Sequence, residues 1–134
     1  AVSRVPVTVA QSSSFKFQGL SKNKTLGIHF DGLLEFHMNV YLILDLEIHD
    51  ISIFSEYIRK IPEIIERHQG RYIVQGVEAT VIEGDWDPAR IVVIEFPSRD
   101  NAEAFLSDAD ALALFDVRQK STTSKLLLVD GCLA

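Results

Sequence analysis

The residues VYLILDLEI, positions 40 to 48, alternate strictly: Val40, Leu42, Leu44, Leu46 and Ile48 form one face, and Tyr41, Ile43, Asp45 and Glu47 the other. Successive side chains of a strand point to opposite faces, so this period of two specifies a strand with one wholly apolar side. The period then changes. Ile51, Phe54, Ile58, Ile61, Ile65 and His68 recur at steps of three and four, which predicts a helix opening near Asp50 and closing before Gly70, kinked or divided by Pro62.

Further along, RYIVQG and EATVIEG read as one long or bulged strand, because Gly76 interrupts the run. RIVVIEF forms a third strand. Ser98 or Asp100 caps a helix through NAEAFLSD, and Ser107 with Asp110 fits an S-x-x-D capping box for a second helical piece through ADALALFDVR. KLLLVDG closes the chain as a fourth strand. The order β-α-β-β-α-β is the split βαβ or ferredoxin-like arrangement, an α+β fold with a four-stranded antiparallel sheet and two helices on one face. Two helices cover only one face of such a sheet. The other face is still largely apolar, and the economical cover is a second copy of the same sheet, so a homodimer is expected.

A chain of 134 residues supports one domain with its own core. Its single cysteine, Cys132, excludes an intramolecular disulfide and suggests a reducing, cytoplasmic setting. The net charge of -6 and the lack of a basic stripe argue against a nucleic-acid partner. Apolar runs such as NVYLILDLEI are broken by charge well before the roughly 20 residues needed to cross a bilayer, so no membrane association is expected.

Met38 is the only methionine, and the chain changes character around it. Before position 40 there are four basic and two acidic residues, a balance of +2 that leaves -8 for the remainder. Residues 1–37 read as an N-terminal extension, an expression leader or, less in keeping with their composition, an organellar transit peptide. Asp31-Gly32 between two apolar runs is a short hairpin signal within them. Residues 38–134 form the ferredoxin-like domain.

The segments YLILDLEIHD, EYIRKIPEIIERHQGRYIVQG, IEGDWDPARIVVIEFPS and VRQKSTTSKLLLVDG follow in one order and spacing. Over residues 38 to 131 they resemble the bacterial domain-of-unknown-function family 1330, most specifically in the G-x-W-x-P-x-R and I-E-F-P-S elements between Gly84 and Ser98. The resemblance implies subunits that pair into a dimeric α+β barrel. The superfamily it points to also holds small monooxygenases, lactone isomerases, dehalogenases and haem-binding members. Two departures from the family pattern stand out: HQGRY in place of HGGRY, and leucine and alanine in AFLSDADALALF where members often carry a Trp-Tyr pair and a further tyrosine.

The candidate chemistry centres on Glu95. If Val92, Ile94 and Phe96 face the helices, Glu95 lies on the opposite face with Tyr41, Ile43 and Asp45, inside the expected barrel. Two carboxylates in an apolar cavity would have raised pKa values suited to a general acid or base; the alternative is that they pair with arginines such as Arg90 or Arg118. His68, at the end of the helical stripe, is either a helix-terminal packing residue or a proton shuttle. Tyr57 is either a half-buried core tyrosine or a hydrogen-bond partner of substrate. Arg118, closing the last helix beside the QKSTTSK loop, either clamps a carboxylate or simply complements a helix C-terminus. In GDWDPAR, Trp86 covers a barrel end or dimer seam, or touches ligand.

No metal-ligand spacing, nucleophile elbow or glycine-rich phosphate loop is present, so no metal or nucleotide cofactor is expected. The functional expectation is a dimer that binds a small organic molecule, with cofactor-independent acid–base chemistry such as isomerisation centred on Glu95 and His68. Arg118, Tyr57, Trp86 and Asp45 would then hold or shape the substrate. A noncatalytic ligand-binding or oligomerising module is the alternative, and a small monooxygenase or haem-binding protein a further one.

Overall fold

The computed structural model describes residues 38–133. Residues 38–80 and 87–133 make one compact unit, from which residues 81–86 group apart. The leader, the Asp31-Gly32 hairpin, His29 and His37 lie outside the described residues.

Seven elements follow in order: β1 (Met38–Ile48), α1 (Ile51–Arg67), β2 (Arg71–Val77), β3 (Arg90–Phe96), α2 (Arg99–Ser107), α3 (Ala109–Ser121) and β4 (Thr122–Leu133). The strands form one antiparallel sheet in the order β2-β3-β1-β4. In the β1–β3 ladder Leu42 faces Ile94 and Leu44 faces Val92. These residues, with Val40, Leu46 and Phe96, lie buried beneath the helices. The alternation of the sequence thus becomes the two faces of the sheet, as expected for strands with one apolar side.

The helix α1 starts where Asp50 caps it by accepting from the Ile53 amide at 3.1 Å. Pro62 neither ends nor divides it. A proline leaves the carbonyl four residues earlier without its donor, here that of Ile58, a half-exposed residue whose backbone water can satisfy. The buried stripe is also turned relative to the expected one: Tyr57 and Ile64 join Phe54, Ile61 and Ile65, while Ile51 and Ile58 are exposed.

Three other boundaries differ from the sequence reading. The second helical region is two helices, as the sequence reading has it, but the cap of α3 is Asp108, which accepts from the amides of Asp110 and Ala111, so Ser107 with Asp110 does not form the box. The Ser107 hydroxyl instead donates to the Glu103 carbonyl of α2 at 2.9 Å. β2 stops at Val77, because its last partner is Ile91 and β3 supplies only Arg90 beyond it; EATVIEG is therefore not strand. Finally, QKSTTSK is not a loop. α3 passes directly into β4, with the Ser121 and Thr122 hydroxyls donating to the Val117 and Arg118 carbonyls, both at 2.7 Å.

Gly76 does mark irregular pairing. It has φ +69, and the β2–β3 register shifts both between Tyr72 and Val74 and between Gln75 and Val77. The first shift reverses the alternation of β2. Tyr72 faces Ile94 and Gln75 faces Val92, so two residues three positions apart lie on the helix-covered side.

Candidate functional site

The open face of the sheet carries Glu95, as the alternation predicts. Its Oε2 accepts from the Tyr41 hydroxyl at 2.9 Å and from Asn39 Nδ2 at 3.0 Å, and its Oε1 from Arg71 Nε at 2.8 Å. The Arg71 guanidinium, followed by the Tyr41 hydroxyl, holds the carboxyl below the usual glutamate range. This corrects the expectation of a raised pKa. The ion pair is made with Arg71, directly opposite Glu95 in the ladder, and not with Arg90 or Arg118.

Asp45 shares that face but does not join Glu95. In β1 it sits four residues from Tyr41, the ladder partner of Glu95, a separation of about 13 Å at strand rise. Its Oδ1 accepts from the Ala89 amide at 2.9 Å, fixing the chain as it enters β3.

His68 is placed elsewhere again. Nε2 lies 2.7 Å from Asp108 Oδ2, and Arg67 Nη1 reaches the same carboxylate oxygen at 2.9 Å. The His68 ring also meets Phe105 edge-on at 6.2 Å. Asp108 thus caps α3 and gathers the end of α1 at once. The His68 contact first, and then Arg67 and the two backbone amides, hold its carboxyl far below the ordinary aspartate value. Trp86 belongs to the segment that groups apart and is two-thirds exposed.

The ligand-sized space lies on the other side of the sheet. A cleft of about 380 Å³ opens between α1 and strands β1, β3 and β2. Its lining is mainly aliphatic and aromatic, including Leu44, Phe54 and Val92, with Tyr57, Tyr72 and Gln75 supplying polar groups. Burial pushes up the pKa of both phenols; the Arg118 guanidinium works against this at Tyr57, and Tyr57 adds to it at Tyr72. Tyr57 stacks on Phe54 at 5.3 Å between ring centroids.

Arg118 does not line this cleft but lies behind Tyr57. Its guanidinium carbon is 5.6 Å from the Tyr57 ring centroid and 5.0 Å from that of Phe115, and Nε makes a long 3.4 Å contact to the Ser124 hydroxyl. The residue is only 5% exposed. Of the expected site residues, the structure therefore brings together Tyr57 and Arg118 and leaves Glu95, Asp45, His68 and Trp86 in separate places. Tyr72 and Gln75 were not singled out in the sequence; the shift that puts both on one face falls between Tyr72 and Val74, where no glycine or proline marks it. Among the described residues no group of three or more His, Cys, Asp or Glu is arranged to hold a metal ion. No helix among them is long and apolar enough to cross a membrane.

The fold and cleft define a ferredoxin-like α+β domain with ligand-sized space between its first helix and its sheet. The chain belongs to the family described as Domain of unknown function (DUF1330), whose model matches residues 39–132. No curated protein matches it. Among solved structures it is similar to a protein of unknown function from Rhodopseudomonas palustris at 16% identity and a TM-score of 0.60, over 72% of this chain and 84% of that one. The methylated form of that protein matches at 14% identity with the same TM-score of 0.60, over 87% and 91%. A cofactor-independent oxygenase, SnoaB from Streptomyces nogalater, matches at 13% identity and a TM-score of 0.47, over 75% and 97%.

Proposed function

We propose that this domain binds a small, largely apolar organic molecule in the cleft under α1 and pairs with a second copy through its open sheet face. The observation that carries the first part is the cleft itself: its volume of about 380 Å³ falls within the range of small-molecule sites, and its few polar groups are set in an apolar lining. The second part is supported by Ile73, Val77, Leu127 and Val129, all exposed on strands of the sheet and available for burial against an identical face. Such pairing would make the dimeric α+β barrel.

In this reading the domain is a ligand-binding module first. Glu95 clamps three strands: its oxygens are taken up by Asn39, Tyr41 and Arg71, and a carboxyl held low is a weak base at neutral pH. His68 serves the junction of α1 with α2 and α3. A cytoplasmic setting belongs to the same reading, supported by the single cysteine.

The test is a fluorescence titration of the protein with phenylnaphthylamine, an uncharged apolar probe of a size suited to the cleft, in wild type and in Ile58→Trp. Ile58 lines the cleft from the exposed side of α1, so a larger ring there narrows the mouth without disturbing the core. Saturable binding weakened by the variant supports the proposal; no binding, or binding indifferent to the variant, refutes it.

A further inference from the structure

Arg67, Arg71 and Arg99 each have a carboxylate partner, whereas among the described residues Arg59, Arg90 and Arg118 have none; of these Arg59 and Arg90 are exposed and Arg118 is buried. Arg90 lines the cleft, and Arg118 lies behind Tyr57, which forms part of its wall. Among the described residues Arg90 is its only charged lining residue, and it spends one Nη1 contact, at 3.0 Å, on the Gly76 carbonyl. Arg118 is buried behind Tyr57 with two aromatic faces and the distant Ser124 hydroxyl around its guanidinium. Among the described residues no carboxylate lines the cleft. Glu47 and Glu78 line the open depression beside it, which shares Arg90, Leu46 and Ile48 with the cleft.

A charge taken out of water is costly unless an opposite charge or several hydrogen bonds compensate it. Cation–π contacts recover only part of that cost. A buried guanidinium without a counter-ion, in a chain with a net charge of -6 and many carboxylates to spare, therefore marks a place where negative charge arrives from outside.

We propose, building on the cleft as the ligand site, that its ligand is an apolar organic acid. The anionic oxygen accepts from the Tyr57 hydroxyl, Arg118 stands behind as the counter-charge, and Arg90 closes the mouth. Arg118 is a positioning residue here, acting through the phenol that it touches. Tyr72 and Gln75 supply further donors along the opposite wall, where an acid with a second oxygen would find them.

The experiment compares anilinonaphthalene sulfonate with phenylnaphthylamine, which has the same skeleton without the anionic group. Wild type should bind the anionic probe about tenfold more tightly, a preference that high salt should only partly erase because the charge is buried. Arg118→Met should abolish the preference while leaving the affinity for the neutral probe within about twofold, and Arg118→Lys should keep part of it. Thermal melting verifies that each variant folds; if Arg118→Met does not, Tyr57→Phe serves, with a reduced preference expected. Equal or tighter binding of the neutral probe by wild type, or a preference that survives in the folded variants, overturns the inference while the cleft stands. Loss of all binding, or insensitivity of both probes to Ile58→Trp, refutes the cleft instead.

Discussion

The Tyr41 hydroxyl donates to Glu95 Oε2 at 2.9 Å across the β1–β3 ladder, while Arg71 closes on the other oxygen from β2. One carboxylate therefore ties three neighbouring strands on the face that the helices leave open. Its ionised form is the one these donors favour, which makes its contribution depend on pH.

Glu95 has a lowered pKa in the folded protein, so its stabilisation is present above the unfolded value of about 4.3 and is lost as pH falls through the folded value. Glu95→Gln should lower the melting temperature at pH near 7, and the gap to wild type should close below about pH 4. Melting curves across that window measure it. A gap that widens in acid would mean that the carboxyl is raised, and the acid–base role would return.

Asp108 holds the end of α1 to the start of α3 through the α3 cap, His68 and Arg67, and its own amide closes α2 on the Phe105 carbonyl. Asp108→Asn keeps an acceptor for the cap and loses the charge; Asp108→Ala loses both. The melting temperature at neutral pH should therefore fall in the order wild type, Asn, Ala. Equal values for the two variants would show that the cap contributes nothing.

Gly70 is constrained by space. A Cβ there would lie 2.5 Å from Phe96 Cε1 and 2.9 Å from Ile65 Cγ2, and both side chains are fully buried. Gly70→Ala should cost about 1–3 kcal/mol in denaturant unfolding, since neither ring nor methyl has room to retreat. A neutral outcome would show that the α1–β2 turn adjusts freely.

Leu127 faces Ile43 in the β1–β4 ladder and is 61% exposed on the open side. Leu127→Glu places a charge where a second copy would have to bury it. Sedimentation should show dimers for wild type and monomers for this variant at micromolar concentration. Monomers in both cases would remove the dimer from the proposal.

The local periodicities were enough to determine the order of the strands and helices and which sides of β1 and β3 are buried. Val40 to Leu46 and Val92 to Phe96 announce their buried faces because alternation is a property of the strand itself. The Asp50 cap and the irregularity at Gly76 were legible for the same reason, being short-range features. The partners of charged groups were not. That Glu95 meets Arg71, that His68 meets Asp108 and that Arg118 is buried behind Tyr57 are contacts between residues distant in sequence or on different elements. The β2–β3 register decides the first, and the packing of the helices on one another and on the sheet the other two, and with them whether a carboxylate is raised or lowered. The same packing moves the candidate site from the open face of the sheet to the cleft beneath α1, where side chains three positions apart on a bulged strand meet a tyrosine from a helix.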